Sequence, residues 1–293
     1  MKRYGLAMGA VPWALLSALG FSTMALLMKR LAEQYPQWEI IFFRASINCA
    51  IVLGAMLARR QTLFPPQHRR LLLFRGVMGT ASLVCYVEAG YSLPLSIASV
   101  LNQSTPIFVI LVSWLAIGEK LRGLQIGWIG VAVGAASILI DPALMLPNSA
   151  PLAVPLTGAL FALAGAACSG MTFVAIRAVS QKVSANTIIL HFTTIATLVS
   201  APQAWRVFRT PDTADTLTLI AMGLCASVGQ YAMTRAYALA PAGLVASLGL
   251  TGAAFSTFYG IAFFGEKLAW LQWGAMVVLA AALLSVNLMQ KSR

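Results

Sequence analysis

The tetrapeptide Gly118-Glu119-Lys120-Leu121 returns as Gly265-Glu266-Lys267-Leu268, so that Glu119 and Glu266 stand 147 positions apart in a chain of 293. The residues after each copy match too: Leu124-Gln125 with Gly127 in the first, Leu271-Gln272 with Gly274 in the second. The same offset pairs Ser22 with Ser169, Arg30 with Arg177 and Arg44 with His191. A repeat at half the chain length means one fold unit used twice, so any acceptable fold divides into two like parts. Tyr91 and Tyr237 stand 146 apart, which predicts a one-residue insertion or deletion in a loop or helix between the copies.

The unit itself is built from apolar runs. They cover roughly 8–29, 38–58, 71–91, 95–117, 123–140, 156–178, 186–205, 216–237, 243–264 and 269–289. Each is about 20 residues, the length of helix that crosses a hydrocarbon core of ~30 Å. Charged residues are 10% of the chain and hydrophobic ones 59%, against roughly 25% charged in water-soluble domains. Within lipid the backbone must satisfy itself, which restricts such runs to helices. The expectation is an all-α integral membrane protein of ten transmembrane helices. Residues 1–140 form the first five-helix repeat, 141–155 a proline-rich external linker without a basic residue, and 156–293 the second repeat. The first run follows Met1-Lys2-Arg3, is too long for a signal-peptide core and lacks a cleavage site, so it reads as an uncleaved span.

Lys and Arg concentrate on the cytoplasmic side of membrane proteins. With the N-terminus inside, the inner gaps hold Lys2, Arg3, Arg59, Arg60, Arg69, Arg70, Lys120, Arg122, Lys182, Lys291 and Arg293. The outer gaps hold only Lys29, Arg30, Arg206, Arg209 and Lys267. Both termini are therefore expected in the cytoplasm, with the chain in the inner membrane. Because five is odd, the two repeats then insert with opposite topology. Inverted repeats around a central cavity are the plan of many secondary transporters.

Polar groups inside the spans are the candidate site, since a charge at mid-bilayer costs about 2.5–3.5 kcal/mol on insertion scales. Glu88 lies well inside the third span and reads as a proton-coupling or substrate-binding carboxylate, or as half of a structural ion pair. Arg44 faces either substrate or Glu39, about one turn earlier. Arg75, near the cytoplasmic end of its span, reads as a snorkelling anchor or a substrate contact. His191, at the Arg44-equivalent position, reads as a proton relay or as a histidine satisfied within the bundle. Asn102-Gln103-Ser104-Thr105-Pro106 interrupts the fourth span, and irregular backbone at this depth is tolerated where it lines a cavity. Thr251 and Tyr259 fall in the second-half counterpart, which carries small and hydroxyl groups instead. Gln230, Tyr231 and Arg235 in the eighth span follow the logic of Tyr86 and Glu88. Trp13, Ser17, Ser22 and Thr23, with Ser169 and Thr172, complete a candidate lining.

Other classes find little support. The charge of +12 sits in short inter-span gaps rather than on a basic face, which argues against nucleic acid. No HExxH, GxSxG or phosphate-binding loop occurs, and two histidines are too few for a histidine-rich metal site, so no cofactor or metal is expected. The cysteines, Cys49, Cys85, Cys168 and Cys225, lie inside apolar runs and read as small packing residues. Gly127, Gly130 and Gly134 suggest a helix contact or a homodimer face.

Ten spans in two halves, each with Gly-Glu-Lys-Leu before its last helix, resemble the EamA-type transporters of the drug/metabolite transporter superfamily. So do Arg75-Gly76, the run Tyr91-Ser92-Leu93-Pro94-Leu95-Ser96-Ile97-Ala98, Ser104-Thr105-Pro106-Ile107-Phe108 and Phe43-Arg44-Ala45. The resemblance implies a basket of ten helices whose cavity is lined by spans one, three, four, six, eight and nine. On that reading Glu88, Asn102, Gln103, Tyr231 and Arg235 lie on lining spans, while Arg44 and His191 lie on less central ones. The ninth span departs from the pattern, with Ala253-Ala254 in place of Thr-Pro. The expected function is proton-linked or facilitative export of a small zwitterionic, amino-acid-like metabolite, extending to opine-type metal chelators. The alternatives are uptake of a nucleotide-like or sulfonium metabolite such as S-adenosylmethionine, stacked on Trp13, Tyr86, Tyr231 and Tyr259, and an intramembrane enzyme using Glu88 and His191.

Overall fold

A computed structural model describes residues 2–63, 68–117, 123–140, 155–180, 182–240 and 242–291. The first Gly-Glu-Lys-Leu copy and nearly all of the linker lie outside the described residues. Among those described there are eleven helices and no strand. The first half holds α1 (Lys2–Leu31), α2 (Gln37–Ala58), α3 (Arg69–Ser92), α4 (Leu95–Asn102), α5 (Thr105–Ile117) and α6 (Gly123–Ile140). The second holds α7 (Leu156–Val179), α8 (Ala185–Val207), α9 (Thr213–Leu239), α10 (Ala242–Phe264) and α11 (Trp270–Lys291). Six of these (α1 from Gly9 onward, α2, α3, α7, α8 and α9) are long and apolar enough to cross a membrane. Their outward faces carry large apolar side chains, with Leu198 68% and Trp205 84% exposed, as a lipid-facing surface requires.

The fourth apolar run does not form one continuous helix: it breaks between α4 and α5 at Gln103-Ser104. Pro106 has no N–H to offer the Asn102 carbonyl one turn back. The Thr105 hydroxyl takes that carbonyl instead, at 2.7 Å. Its counterpart α10 has no proline at the matching place and runs on unbroken.

Neighbour relations exchange when the halves are swapped. α1 packs on α9 and α10; its counterpart α7 packs on α3, α4 and α5. α2 packs on α9, as α8 does on α3, while α2–α8 and α6–α11 map onto themselves. Small residues set the closest approaches: a Cβ on Gly20 would lie 3.0 Å from the Gly229 backbone nitrogen, and one on Gly170 would lie 2.8 Å from Phe108 Cβ. By contrast, Cβ atoms on Gly127, Gly130 and Gly134 would meet nothing within 4 Å, so among the described residues this stripe makes no helix contact within the chain.

The second Gly-Glu-Lys-Leu copy is a joint between the halves. Gly265 sits at φ +61, a left-handed conformation that favours glycine. The turn aims Glu266 at the start of α4, where its carboxylate accepts from the Leu95 amide, the Ser96 amide at 3.1 Å and the Ser96 hydroxyl at 2.6 Å. A negative group at a helix N-terminus satisfies orphan amides and complements the dipole. Leu268 packs against a core drawn from α3 through α7 and α11, and Gln272 Oε1 accepts from the Ala269 amide at 3.0 Å.

Cations cap the opposite kind of helix end. Lys29 Nζ donates to the Gly90 and Leu93 carbonyls at 2.9 and 2.7 Å, at the C-terminus of α3. Arg177 Nη1 donates to those of Tyr237 and Ala240 at 3.0 and 3.2 Å, at the C-terminus of α9. Gly90 and Tyr237, like Leu93 and Ala240, are 147 apart, so the offset holds through the ends of α3 and α9. The insertion expected from Tyr91 and Tyr237 is therefore not needed there. These two tyrosines are not equivalents: the Tyr91 hydroxyl donates to the Tyr35 carbonyl, whereas Tyr237 stacks on Phe173 at 4.9 Å.

Candidate transport cavity

Where the halves meet they enclose a cavity of about 210 Å³. α1, α3, α7, α9 and α10 supply most of its wall, and the α4–α5 break supplies Asn102, Gln103 and Thr105. That break is tied across to α10, because Gln103 Nε2 donates to the Gly249 carbonyl at 2.8 Å. The Ser22 hydroxyl donates to the Gly252 carbonyl of the same helix, also at 2.8 Å. On the other wall Ser82 joins α3 to α7 through Ser169 Oγ at 2.6 Å and the Gly165 carbonyl at 3.0 Å.

Two arginines provide the charge of this lining. Arg44 from α2 is 6% exposed and Arg75 from α3 only 1%. Arg44 Nε donates to the Met24 thioether at 3.0 Å, a weak acceptor. Arg75 lies over the Phe192 ring, 4.3 Å from its centroid, while its Nε and Nη1 have no hydrogen-bond partner among the described residues. Phe192 enters from α8 and also lines the cavity. Gly79 makes room for this guanidinium, since a Cβ there would sit 2.5 Å from Arg75 Nη1. Among the described residues, no Asp or Glu lines the cavity.

Further polar atoms of lining residues are buried and without a partner among the described residues: Asn102 Oδ1, Thr172 Oγ1 and Gln230 Nε2. Buried polar groups are almost always hydrogen-bonded, and exceptions call for an explanation. A polar ligand with both donors and acceptors would satisfy all of them.

Of the residues singled out from sequence, the lining brings together Arg44, Arg75, Tyr86, Asn102, Gln103, Thr105 and Gln230. Ser17, Ser22, Ser169 and Thr172 join them. Glu88 is half-buried and outside the lining. Arg75 does not snorkel, and Arg44 does not turn to Glu39, whose carboxylate instead accepts from the Arg209 amide at 3.1 Å. Arg44 reaches the cavity although α2 contributes little else to it. Trp13, Tyr231 and Arg235 form a separate cluster between α1 and α9. The two rings meet edge-on at 5.9 Å, and the exposed Arg235 guanidinium lies 5.9 Å from the Trp13 centroid. Such outward aromatic–cation groupings suit the membrane–water interface. Thr251 returns its hydroxyl to the Leu248 carbonyl at 2.7 Å, and the Tyr259 hydroxyl lies 3.3 Å from Thr23 Oγ1. His191 Nδ1 lies 2.9 Å from the Thr187 carbonyl, one turn back. None of these last six residues, Trp13, Tyr231, Arg235, Thr251, Tyr259 and His191, is in the lining. Phe192, Ser99 and Tyr237 line the cavity unannounced, because an aromatic or a lone serine in an apolar run carries no signal that separates lining from packing.

Comparison with known proteins places this cavity in a family. The EamA-like transporter family matches residues 8–140 and again residues 156–288. The chain belongs to that family. It is a multi-pass membrane transporter, not an enzyme. The pseudopaline exporter of Pseudomonas aeruginosa is 33% identical over 275 residues, covering 93% of this chain and 94% of its own length. Human solute carrier family 35 member G1 is 23% identical, covering 92% of this chain and 76% of its own. The riboflavin transporter of Rhizobium johnstonii is 24% identical, covering 96% and 92%. A solved crystal structure 18% identical to the chain covers 97% of it and 96% of its own chain with a TM-score of 0.68, a likeness of fold alone.

Proposed function

We propose that the chain is an inner-membrane secondary exporter of a small amino-acid-derived metabolite, a class that extends to opine-type metal chelators. The observation that carries the reading is the cavity between the repeats, with buried donors and acceptors left unpaired, in a chain 33% identical to a pseudopaline exporter. Ten crossing helices in two inverted repeats, with both termini cytoplasmic, complete it. The family matches twice and the basic residues favour that orientation.

In this orientation the cavity extends toward the cytoplasm, between Ala14, Arg75, Tyr237 and Val245. Lys29 and Glu266 join α1, α3, α4 and the α10–α11 connection on the external side. Alternating access then requires these external ties to open as the cytoplasmic end closes. Coupling through Glu88 is not part of this reading, because that carboxylate stands outside the lining. Uptake of a sulfonium cation fits poorly beside two arginines, and Trp13, Tyr231 and Tyr259 do not line the space in which a base would stack.

The test is comparative metabolite profiling of cells and medium with wild type, Asn102→Leu and empty vector at matched protein levels. The reading expects a compound that accumulates outside with wild type alone. If no compound's external level depends on the protein in cells that synthesise opine-type metabolites, export is the wrong function.

A further inference from the structure

The cavity's charge is more specific than export of an amino-acid-like compound requires. We propose that it selects anions: cargo with at least two carboxylates, one for Arg44 and one for Arg75, and a hydrogen-bond-donating amine or hydroxyl between them for Asn102 and Thr172. This inference rests on the transport reading and narrows its substrate class.

Burying two guanidiniums in membrane helices without a carboxylate demands another compensating group. The nearby acids do not provide one: Glu39 is turned to the Arg209 amide, and Glu88 is outside the lining. Arg44 has only a thioether for its Nε, and Arg75 leaves Nε and Nη1 unpaired. The Arg75 guanidinium lies over the Phe192 ring, a contact that meets part of its charge but gives Nε and Nη1 no hydrogen-bond acceptor. Gln230 Nε2 adds a neutral donor. The unpaired acceptors, Asn102 Oδ1 and Thr172 Oγ1, come from the α4–α5 break and from α7. A ligand bearing carboxylates alone would leave those two unmet, so the cargo also carries a donor.

Both arginines belong to the first half of the chain. Their repeat equivalents are His191 and Met222, and neither is in the lining. Anion recognition is therefore an asymmetry added to a duplicated scaffold, and it sets specificity rather than fold.

The test is equilibrium binding to the purified full chain in detergent, by calorimetry, in a low-ionic-strength Tris–HEPES buffer free of carboxylates. The probes are iminodiacetate, its dimethyl ester, glycine and spermidine. Iminodiacetate has two carboxylates flanking a secondary amine. The expected result is that iminodiacetate binds, glycine binds more weakly, and the ester and spermidine do not bind. Arg44→Gln and Arg75→Gln each weaken iminodiacetate about 10- to 100-fold, the loss expected for a charged hydrogen bond. Arg75→Lys recovers part of it, which separates charge recognition from misfolding. Equal binding of diacid and diester, or unchanged affinity in both glutamine variants, overturns the inference. Binding needs no transport, so iminodiacetate selectivity without metabolite export would sink the export reading alone. Export of a neutral or cationic compound would sink anion selection alone.

Discussion

Removing the Glu266 carboxylate tests whether the repeated motif is a structural joint. The group accepts from two amides and one hydroxyl at the first turn of α4, a helix of eight residues whose N-cap, Pro94, makes no side-chain cap bond. Hydrogen bonds to a charged group are worth about 1.5–3 kcal/mol each, and losing an N-cap costs about 0.5–2 kcal/mol. The three bonds share one carboxylate and are not additive, so Glu266→Ala is expected to cost about 3 kcal/mol. Glu266→Gln keeps one acceptor but turns an amide toward the remaining donors, for about 1–2 kcal/mol. At about 2–4 °C per kcal/mol for a chain near this size, the alanine variant melts about 6–12 °C below wild type in detergent. Lys267 is exposed and serves as the control, with Lys267→Ala expected within about 0.5 kcal/mol. Gly260→Ala offers an independent route, because its Cβ would meet Glu266 Oε2 at 2.4 Å. Equal melting temperatures for Glu266→Ala and Lys267→Ala would refute the reasoning.

Single contacts give three further expected outcomes. Gly170→Ala should destabilise by about 1–3 kcal/mol, since the new methyl meets Phe108 backbone at 3.0 Å, whereas Gly130→Ala, with open space around it, should be neutral to slightly stabilising in the same melts. Gly79→Ala displaces the Arg75 guanidinium and should weaken iminodiacetate binding about tenfold with the helix content unchanged by circular dichroism. The Tyr35 hydroxyl donates to Asp215 at 2.8 Å, and that hydrogen bond raises its pKa to about 12. Protonated Tyr35 is the bonded form, so its contribution is full below about pH 10 and is lost as pH rises toward 12. Spectrophotometric titrations of wild type and Asp215→Asn should differ by one tyrosine, which titrates earlier in the variant.

The duplication and the apolar periodicity made the helical architecture readable from residues alone, because lipid leaves the backbone few choices. The break at Gln103-Ser104 was legible for the same reason: polar residues before Pro106 cannot remain a lipid-facing helix. Ser22 and Ser169 could be marked as candidates because they pair across the repeat. The orientation of single side chains was not legible. Arg75 looks like a snorkelling anchor by its place in the span, and only the packing of Phe192 and the gap at Gly79 turn it inward. Glu88 is the most conspicuous charge in the sequence, yet helix rotation leaves it outside the cavity. Tyr231 and Arg235 stand four apart on one face of α9, a spacing that fits a binding face, and the same spacing fits an interfacial belt. The role of Glu266 was hidden because its partners, Leu95 and Ser96, lie 171 and 170 residues away.

The most direct measurement takes the compound that medium profiling identifies and tracks its uptake into inside-out membrane vesicles. Wild-type vesicles should fill with it, and vesicles holding equal amounts of inserted Arg75→Gln protein should not. Equal filling by both, or accumulation confined to right-side-out vesicles, would contradict export through an arginine-lined cavity.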